Sequence, residues 1–272
     1  MNERLKNFIS HAESRLEGIC DLYVIGYFPD ENEVPKEFMH SSKYFPYREK
    51  DIVNDLYPVK GRSKPFEPRP GNFDLVILKF AQDNPLYDYY WHFEYDVDFS
   101  GEIDYLVKYF SKSESDLLAT NIRLMRKNWE NKKSIKIPSC WSQYQQEDTI
   151  CFLPAFRVSF QLLKEIDRFY KIGGSGHHEW AWPFVAINTG LLIEDIGGNG
   201  NFVKKENINR FYTSSPSIPG LYPGTFRFEP PMQKSGRRPL TLWHPVKDHK
   251  IKLKTYLKTW YRIFKFIVKR LK

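Results

Sequence analysis

The stretch that most constrains this chain runs from Tyr87 to Gly101: Tyr-Asp-Tyr-Tyr-Trp-His-Phe-Glu-Tyr-Asp-Val-Asp-Phe-Ser-Gly. An aromatic run that breaks into three acids spaced two apart, followed by Ser-Gly, reads as a buried strand opening into a polar cavity. Side chains alternate across a strand, so Glu94, Asp96 and Asp98 share one face if the extended conformation persists that far. Three carboxylates on one face repel one another. A hard divalent cation such as Mg²⁺ or Mn²⁺ relieves that repulsion, because carboxylate oxygens are its preferred ligands. The competing reading is a solvated acidic turn at a strand end.

A hydrophobic strand ending in acidic-x-acidic resembles the Asp-x-Asp motif of GT-A glycosyltransferases, in which carboxylates hold a metal on the diphosphate of a nucleotide sugar. Either Glu94-Tyr95-Asp96 or Asp96-Val97-Asp98 matches. The first is favoured, because in that family an apolar residue usually follows the second acid, as Val97 does. The resemblance implies an α/β GT-A-like (Rossmann-like) domain with a mainly parallel sheet flanked by helices.

A length of 272 residues can bury a substantial core, and 41% hydrophobic with 17% aromatic residues argues for a folded protein. Between Lys250 and Lys272 stand nine lysines and arginines and no acid, more than the whole formal charge of +8. The rest of the chain is therefore near neutral, which argues against nucleic acid as a partner. Cys20, Cys140 and Cys151 form no metal or disulfide pattern and suit a reducing compartment. The first residues lack an apolar signal core, and no run reaches the roughly 18 apolar residues of a spanning helix. The expected location is cytoplasmic, peripheral on the inner face of the membrane if the basic tail attaches there.

In chain order, the pattern predicts an amphipathic helix over residues 3–17 and a buried strand over Cys20–Phe28. Tyr27, at the end of that strand, is placed where a Tyr can stack on a nucleotide base or simply close the strand. A short helix is expected around Asp51–Leu56, and a strand or short buried helix over Gly71–Phe80. A strand over residues 88–94, a helix near Glu102–Phe110 and a strand over Asp116–Asn121 follow. Strands alternating with helices favour a layered α/β architecture. Residues 1–249 are read as one catalytic domain, with a nucleotide side of about 20–121 and an acceptor side of about 122–249.

Lys171–Phe184 joins a Gly-rich loop to His, Glu and Trp. The loop is expected to close over a ligand, with His178, Trp180 and Trp182 meeting the acceptor. Glu179 opens a helix and is either its capping acid or the general base that deprotonates an acceptor hydroxyl, the step that inverting transfer requires. In many inverting GT-A enzymes an acid opening a helix in the second half has that role. Within the Pro- and Gly-rich segment 214–239, Arg227, Arg237 and Arg238 are candidates for a diphosphate or are solvated surface residues.

Leu240–Lys247 reads as a short strand ending at His244, with Lys247 three residues on. In many GT-A enzymes a His near the end of the catalytic domain completes the metal site and a nearby Lys or Arg contacts the phosphates; His244 and Lys247 match by order. From Leu253, apolar residues recur at three- and four-residue spacing among lysines, predicting a basic amphipathic helix over 250–272. It either lies on anionic lipid or docks on its own core.

The resemblance thus implies a metal-dependent glycosyltransferase using Mn²⁺ or Mg²⁺. Its donor is a nucleotide sugar bound through Tyr27, Lys247, Arg227 and Arg237, and its acceptor is a glycan or lipid-linked glycan, as in cell-surface polysaccharide synthesis. The rivals are a nucleotidyl- or phosphotransferase and a non-enzymatic sugar- or lipid-binding module.

Overall fold

A computed structural model describes residues 3–30, 33–36, 42–53, 55–62, 66–68, 71–127, 129–141, 148–213, 224–226 and 231–247, with 253, 254, 257 and 261 beyond them. In chain order its main elements are α1 (Glu3–Leu16), β1 (Val24–Tyr27), β2 (Tyr44–Tyr47), α2 (Glu49–Ile52), α3 (Asp74–Asp83), β3 (Tyr89–Phe93), β4 (Asp98–Phe99), α4 (Ile103–Phe110), β5 (Leu117–Leu124), β6 (Thr149–Ser159), α5 (Phe160–Lys171), α6 (His178–Asn188), β7 (Ile193–Asp195) and β8 (Leu242–Trp243). The chain divides into two compact units, each discontinuous in sequence. One comprises residues 1–20, 92–113 and 195–272, the other 21–91 and 114–194.

The second unit is built around a four-stranded sheet of order β3-β6-β5-β7, whose central pair β5 and β6 is antiparallel. Strand β6 is buried along nearly its whole length, as a strand covered on both faces is, and β5 is buried from Leu117 to Thr120. Helix α5 buries Leu162, Leu163, Ile166, Phe169 and Tyr170 at helical spacing, and Ser159 caps it by accepting from the Leu162 N–H at 3.0 Å. Helix α6 is apolar all round, with Trp180 through Ala186 buried, and it packs against β6 and α5. Strands β1 and β2 form a separate parallel pair.

In the first unit, α1 buries Ile9, Ala12 and Leu16 on one stripe. Helix α4 does the same with Ile103, Leu106, Val107 and Phe110. Between them Arg15 Nε lies 3.0 Å from Glu102 Oε2 and Arg15 Nη2 3.2 Å from Asp104 Oδ1. Strands β4 and β8 pair antiparallel, Asp98 opposite Trp243 and Phe99 opposite Leu242.

The protein is therefore a mixed α/β protein with small sheets, and the expected mainly parallel sheet is corrected. Two local facts account for this. Asp74–Asp83, read as a strand or short buried helix, is helical, with Leu75 to Leu78, Phe80 and Ala81 buried. Between β5 and β6, the described residues carry only short 3₁₀ turns, and β6 returns antiparallel to β5, whereas parallel neighbours usually need a crossover helix. The helices expected at 3–17, 102–110 and from 179, and the strands expected at 88–94 and 116–121, are present within a few residues of those bounds. Most of the tail helix expected over 250–272 lies outside the described residues; Leu253, Lys254, Leu257 and Tyr261 are helical, and all four are exposed. Among the described residues no helix is long and apolar enough to cross a membrane.

Candidate metal centre

Strand β3 ends at Phe93, and the chain then turns: the Val97 N–H donates to the Glu94 carbonyl at 2.9 Å. That turn sets Glu94 and Asp96 apart from Asp98, which opens β4. Because β4 pairs with β8, the residues after Trp243 run back alongside the turn, and the Val246 N–H donates to the Asp96 carbonyl at 2.8 Å. Three further backbone bonds hold the returning segment. His244 N donates to Thr225 O at 3.0 Å, Met232 N to Pro245 O at 2.9 Å and Lys247 N to Met232 O at 2.7 Å.

The result brings Glu94, Asp96 and His244 together, with one ligand atom from each lying within 4.8 Å of the others. His244 Nε2 faces both carboxylates, 3.5 Å from Asp96 Oδ1 and 3.8 Å from Glu94 Oε2. Asp96 is buried, at 3% exposure. Its Oδ2 accepts from Lys247 Nζ at 2.6 Å, while its Oδ1 is buried without a hydrogen bond among the described residues. Burial pushes the Asp96 carboxyl up, but His244 and Lys247 outweigh it and hold the group down at about 2. Lys247 also donates to the Tyr95 hydroxyl at 3.0 Å and lies 5.0 Å from the centre of that ring. Its ammonium is pulled down by burial and, more strongly, held above the usual lysine range by Asp96 and Tyr95.

Two carboxylate oxygens and an imidazole nitrogen converging on one point are a donor set suited to a divalent ion. A buried carboxylate oxygen with no hydrogen bond is what such an ion would satisfy. Glu94, Asp96 and His244 therefore form a group that could hold a metal ion. One supporting residue carried no local signal: Arg4 of α1 donates through Nη2 to the Tyr95 carbonyl, fixing the peptide between the two acids.

The other sequence candidates lie elsewhere. Asp98 stands outside the group, since its Oδ2 accepts from Ser235 Oγ at 2.5 Å and its Oδ1 from the Phe99 N–H at 2.9 Å. Arg237 is exposed, Arg238 donates to the Asn209 carbonyl, and Arg227 lies outside the described residues.

Tyr27, His178, Glu179, Trp180 and Trp182 all belong to the second unit. Tyr27 meets Phe66 edge-on at 5.8 Å. The His178 ring stacks on His177 at 4.7 Å. Glu179 Oε2 lies 3.9 Å from His177 Nδ1, and the same Nδ1 caps the helix by accepting from the Glu179 N–H at 3.3 Å. Trp180 and Trp182 are 0% and 1% exposed, so neither ring presents a stacking face to solvent. Trp180 stacks on Phe184, and its Nε1 donates to Asp148 at 3.2 Å.

The Gly-rich loop is pinned rather than open. Lys136 and Ser175 exchange backbone hydrogen bonds of 3.0 Å, and Lys60 Nζ donates to the Gly176 carbonyl at 2.9 Å.

That lysine belongs to a cluster with no sequence signature. Lys60 is 1% exposed, and its Nζ also donates to the Gly71 carbonyl at 2.6 Å and sits 3.2 Å from Asp74 Oδ2. Tyr170, wholly buried, donates to the same carboxylate oxygen. Burial lowers the Lys60 ammonium, against the pull of Asp74.

No protein-family model matches the chain, and no curated protein matches it.

Proposed function

We propose that the protein is a metal-dependent glycosyltransferase of GT-A type, moving a sugar from a nucleoside-diphosphate sugar to a hydroxyl of a glycan or lipid-linked glycan. The observation that carries this reading is the convergence of Glu94-x-Asp96 with His244 and Lys247, residues about 150 positions apart. An acid pair, a histidine and an adjacent lysine suit a diphosphate leaving group, which needs positive charge on its oxygens.

In this reading Glu94, Asp96 and His244 hold Mn²⁺ or Mg²⁺. Such an ion supplies a Lewis acid that offsets charge on the departing diphosphate. Lys247 has three donors, two of them engaged among the described residues by Asp96 and Tyr95, and its side chain is 21% exposed, so it can add a hydrogen bond to a phosphate oxygen. Arg4 keeps the Tyr95 peptide fixed and so keeps Glu94 and Asp96 in register.

The test is a thermal-shift screen of nucleoside diphosphates and nucleotide sugars, each with and without Mn²⁺, since a ligand that binds the native state raises its melting temperature. One nucleotide that stabilises only with metal is the expected result and names the donor base. No response to any nucleotide overturns the reading and leaves the sugar- or lipid-binding module. Release of pyrophosphate instead of nucleoside diphosphate during turnover points to nucleotidyl transfer.

A further inference from the structure

The Asp96 carboxylate is divided between two partners. Its Oδ2 is taken by Lys247 at 2.6 Å, and its Oδ1, with no hydrogen bond, faces His244 Nε2 at 3.5 Å. Lys247 cannot swing away without loss, because its backbone N–H is fixed on Met232 and its ammonium is also bonded to the Tyr95 hydroxyl. A fixed positive charge therefore sits on one ligand of the candidate metal group.

The charge arithmetic has two sides. Leaving His244 aside, the two carboxylates and the ammonium of Lys247 leave the bare group at −1. A divalent ion entering next to a lysine brings it to +1. The lysine repels the incoming ion and holds one oxygen of its carboxylate, so it disfavours the ion alone. Once the ion is present, the same lysine leaves an excess positive charge in a partly buried place, where an anion is strongly attracted.

We infer that Lys247 makes divalent-ion binding and phosphate binding at this group mutually dependent: each strengthens the other, and neither is strong by itself. The coupling is reciprocal by thermodynamic necessity. It gives the protein a way to hold its ion chiefly when a phosphate-bearing ligand accompanies it. The inference rests on the metal-binding reading of Glu94, Asp96 and His244 and does not depend on glycosyl transfer.

The experiment measures Mn²⁺ binding to the full chain by electron paramagnetic resonance, with and without millimolar inorganic phosphate, for the native protein and for Lys247→Met and Lys247→Arg. In the native protein, phosphate is expected to tighten Mn²⁺ binding by roughly tenfold, within the usual range of coupling between sites. Lys247→Met is expected to bind Mn²⁺ alone roughly tenfold more tightly and to lose the phosphate effect. Lys247→Arg keeps the charge and is expected to keep the coupling. Melting curves show which variants fold, and Lys247→Gln gives the same reading if the Met variant does not.

Native protein that binds Mn²⁺ while Lys247→Met binds it no more tightly, with the phosphate effect intact, overturns the inference and leaves the metal site standing. Native protein that binds no Mn²⁺ with or without phosphate overturns the metal site itself, and the inference with it.

Discussion

Each of the two units contains a lysine bonded to an aspartate beside a tyrosine, and the two sets have opposite characters. In the second unit, Lys60 spends its three donors on the Gly71 carbonyl, the Gly176 carbonyl and Asp74, and neither charged side chain is exposed. In the first unit, Lys247 engages Asp96 and Tyr95 among the described residues and its side chain is 21% exposed. Asp74 and Asp96 each keep one buried oxygen with no hydrogen bond among the described residues, but that of Asp96 faces a histidine with a second acid beside it. The same pair chemistry closes a structure when the lysine is saturated and sealed. It leaves a site when the lysine is part-exposed and the spare carboxylate oxygen faces other metal-ligating groups. The ion pair alone is therefore a poor guide to function; which other side chains converge on it is the better one.

The comparison is broken most forcefully at Lys60. Lys60→Met leaves Asp74 buried without its cation and frees two loop carbonyls, which should cost about 3–5 kcal/mol in chemical denaturation. Lys247→Met should cost only about 1–2 kcal/mol, because His244 remains beside Asp96. Equal losses at the two lysines would end the distinction between sealed and open pairs.

Asp96→Asn should reduce Mn²⁺ affinity by more than the roughly 10–100-fold typical of changes one layer out from a metal, with the melting temperature little altered. Titration followed by electron paramagnetic resonance reads this directly.

A pH dependence sharpens the sealed side. Burial, with His178 and the positive Lys60 nearby, pushes the His177 imidazole down to about 3. In the unfolded chain it titrates near 6.5, so below that pH the unfolded state binds the extra proton. Stability is therefore fully present above about pH 6.5 and is lost as pH falls from there toward 3, at up to about 1.4 kcal/mol per pH unit. His177→Gln should flatten that part of the profile in urea titrations between pH 6.5 and 4.5.

The smallest effect is expected at Arg4. Arg4→Ala should weaken Mn²⁺ binding by no more than about tenfold while shifting the melting temperature slightly, as befits a residue that only positions the Tyr95 peptide.

The open site was legible in the sequence because its residue types are chemically unusual where they stand. An acid-x-acid pair at the end of an aromatic strand and a His followed three residues later by Lys are visible without knowing that they meet. Asp98 was misplaced for a physical reason: the period of two holds only while the strand does, and the turn after Phe93 ends it. A Gly-rich loop leading into His, Glu and Trp suggests stacking faces at Trp180 and Trp182, yet helix α6 is apolar nearly all round, and such a helix is buried.

The sealed cluster could not be read at all. Lys60 lies in an irregular stretch, its partners Asp74 and Tyr170 come from separate helices, and a lysine is almost never fully buried unless paired. Sheet direction escaped for a related cause, since periodicity identifies a strand but not which way its neighbour runs.

The order of synthesis adds a consequence for the open site. Lys247 follows Asp96 by 151 residues, so at ordinary elongation rates the acidic turn exists for about 8–30 s before its histidine and lysine have been made. Through that interval Glu94 and Asp96 repel each other without the lysine that later takes Asp96 Oδ2. Ions in the surrounding solution have access to the nascent turn well before the finished pocket exists.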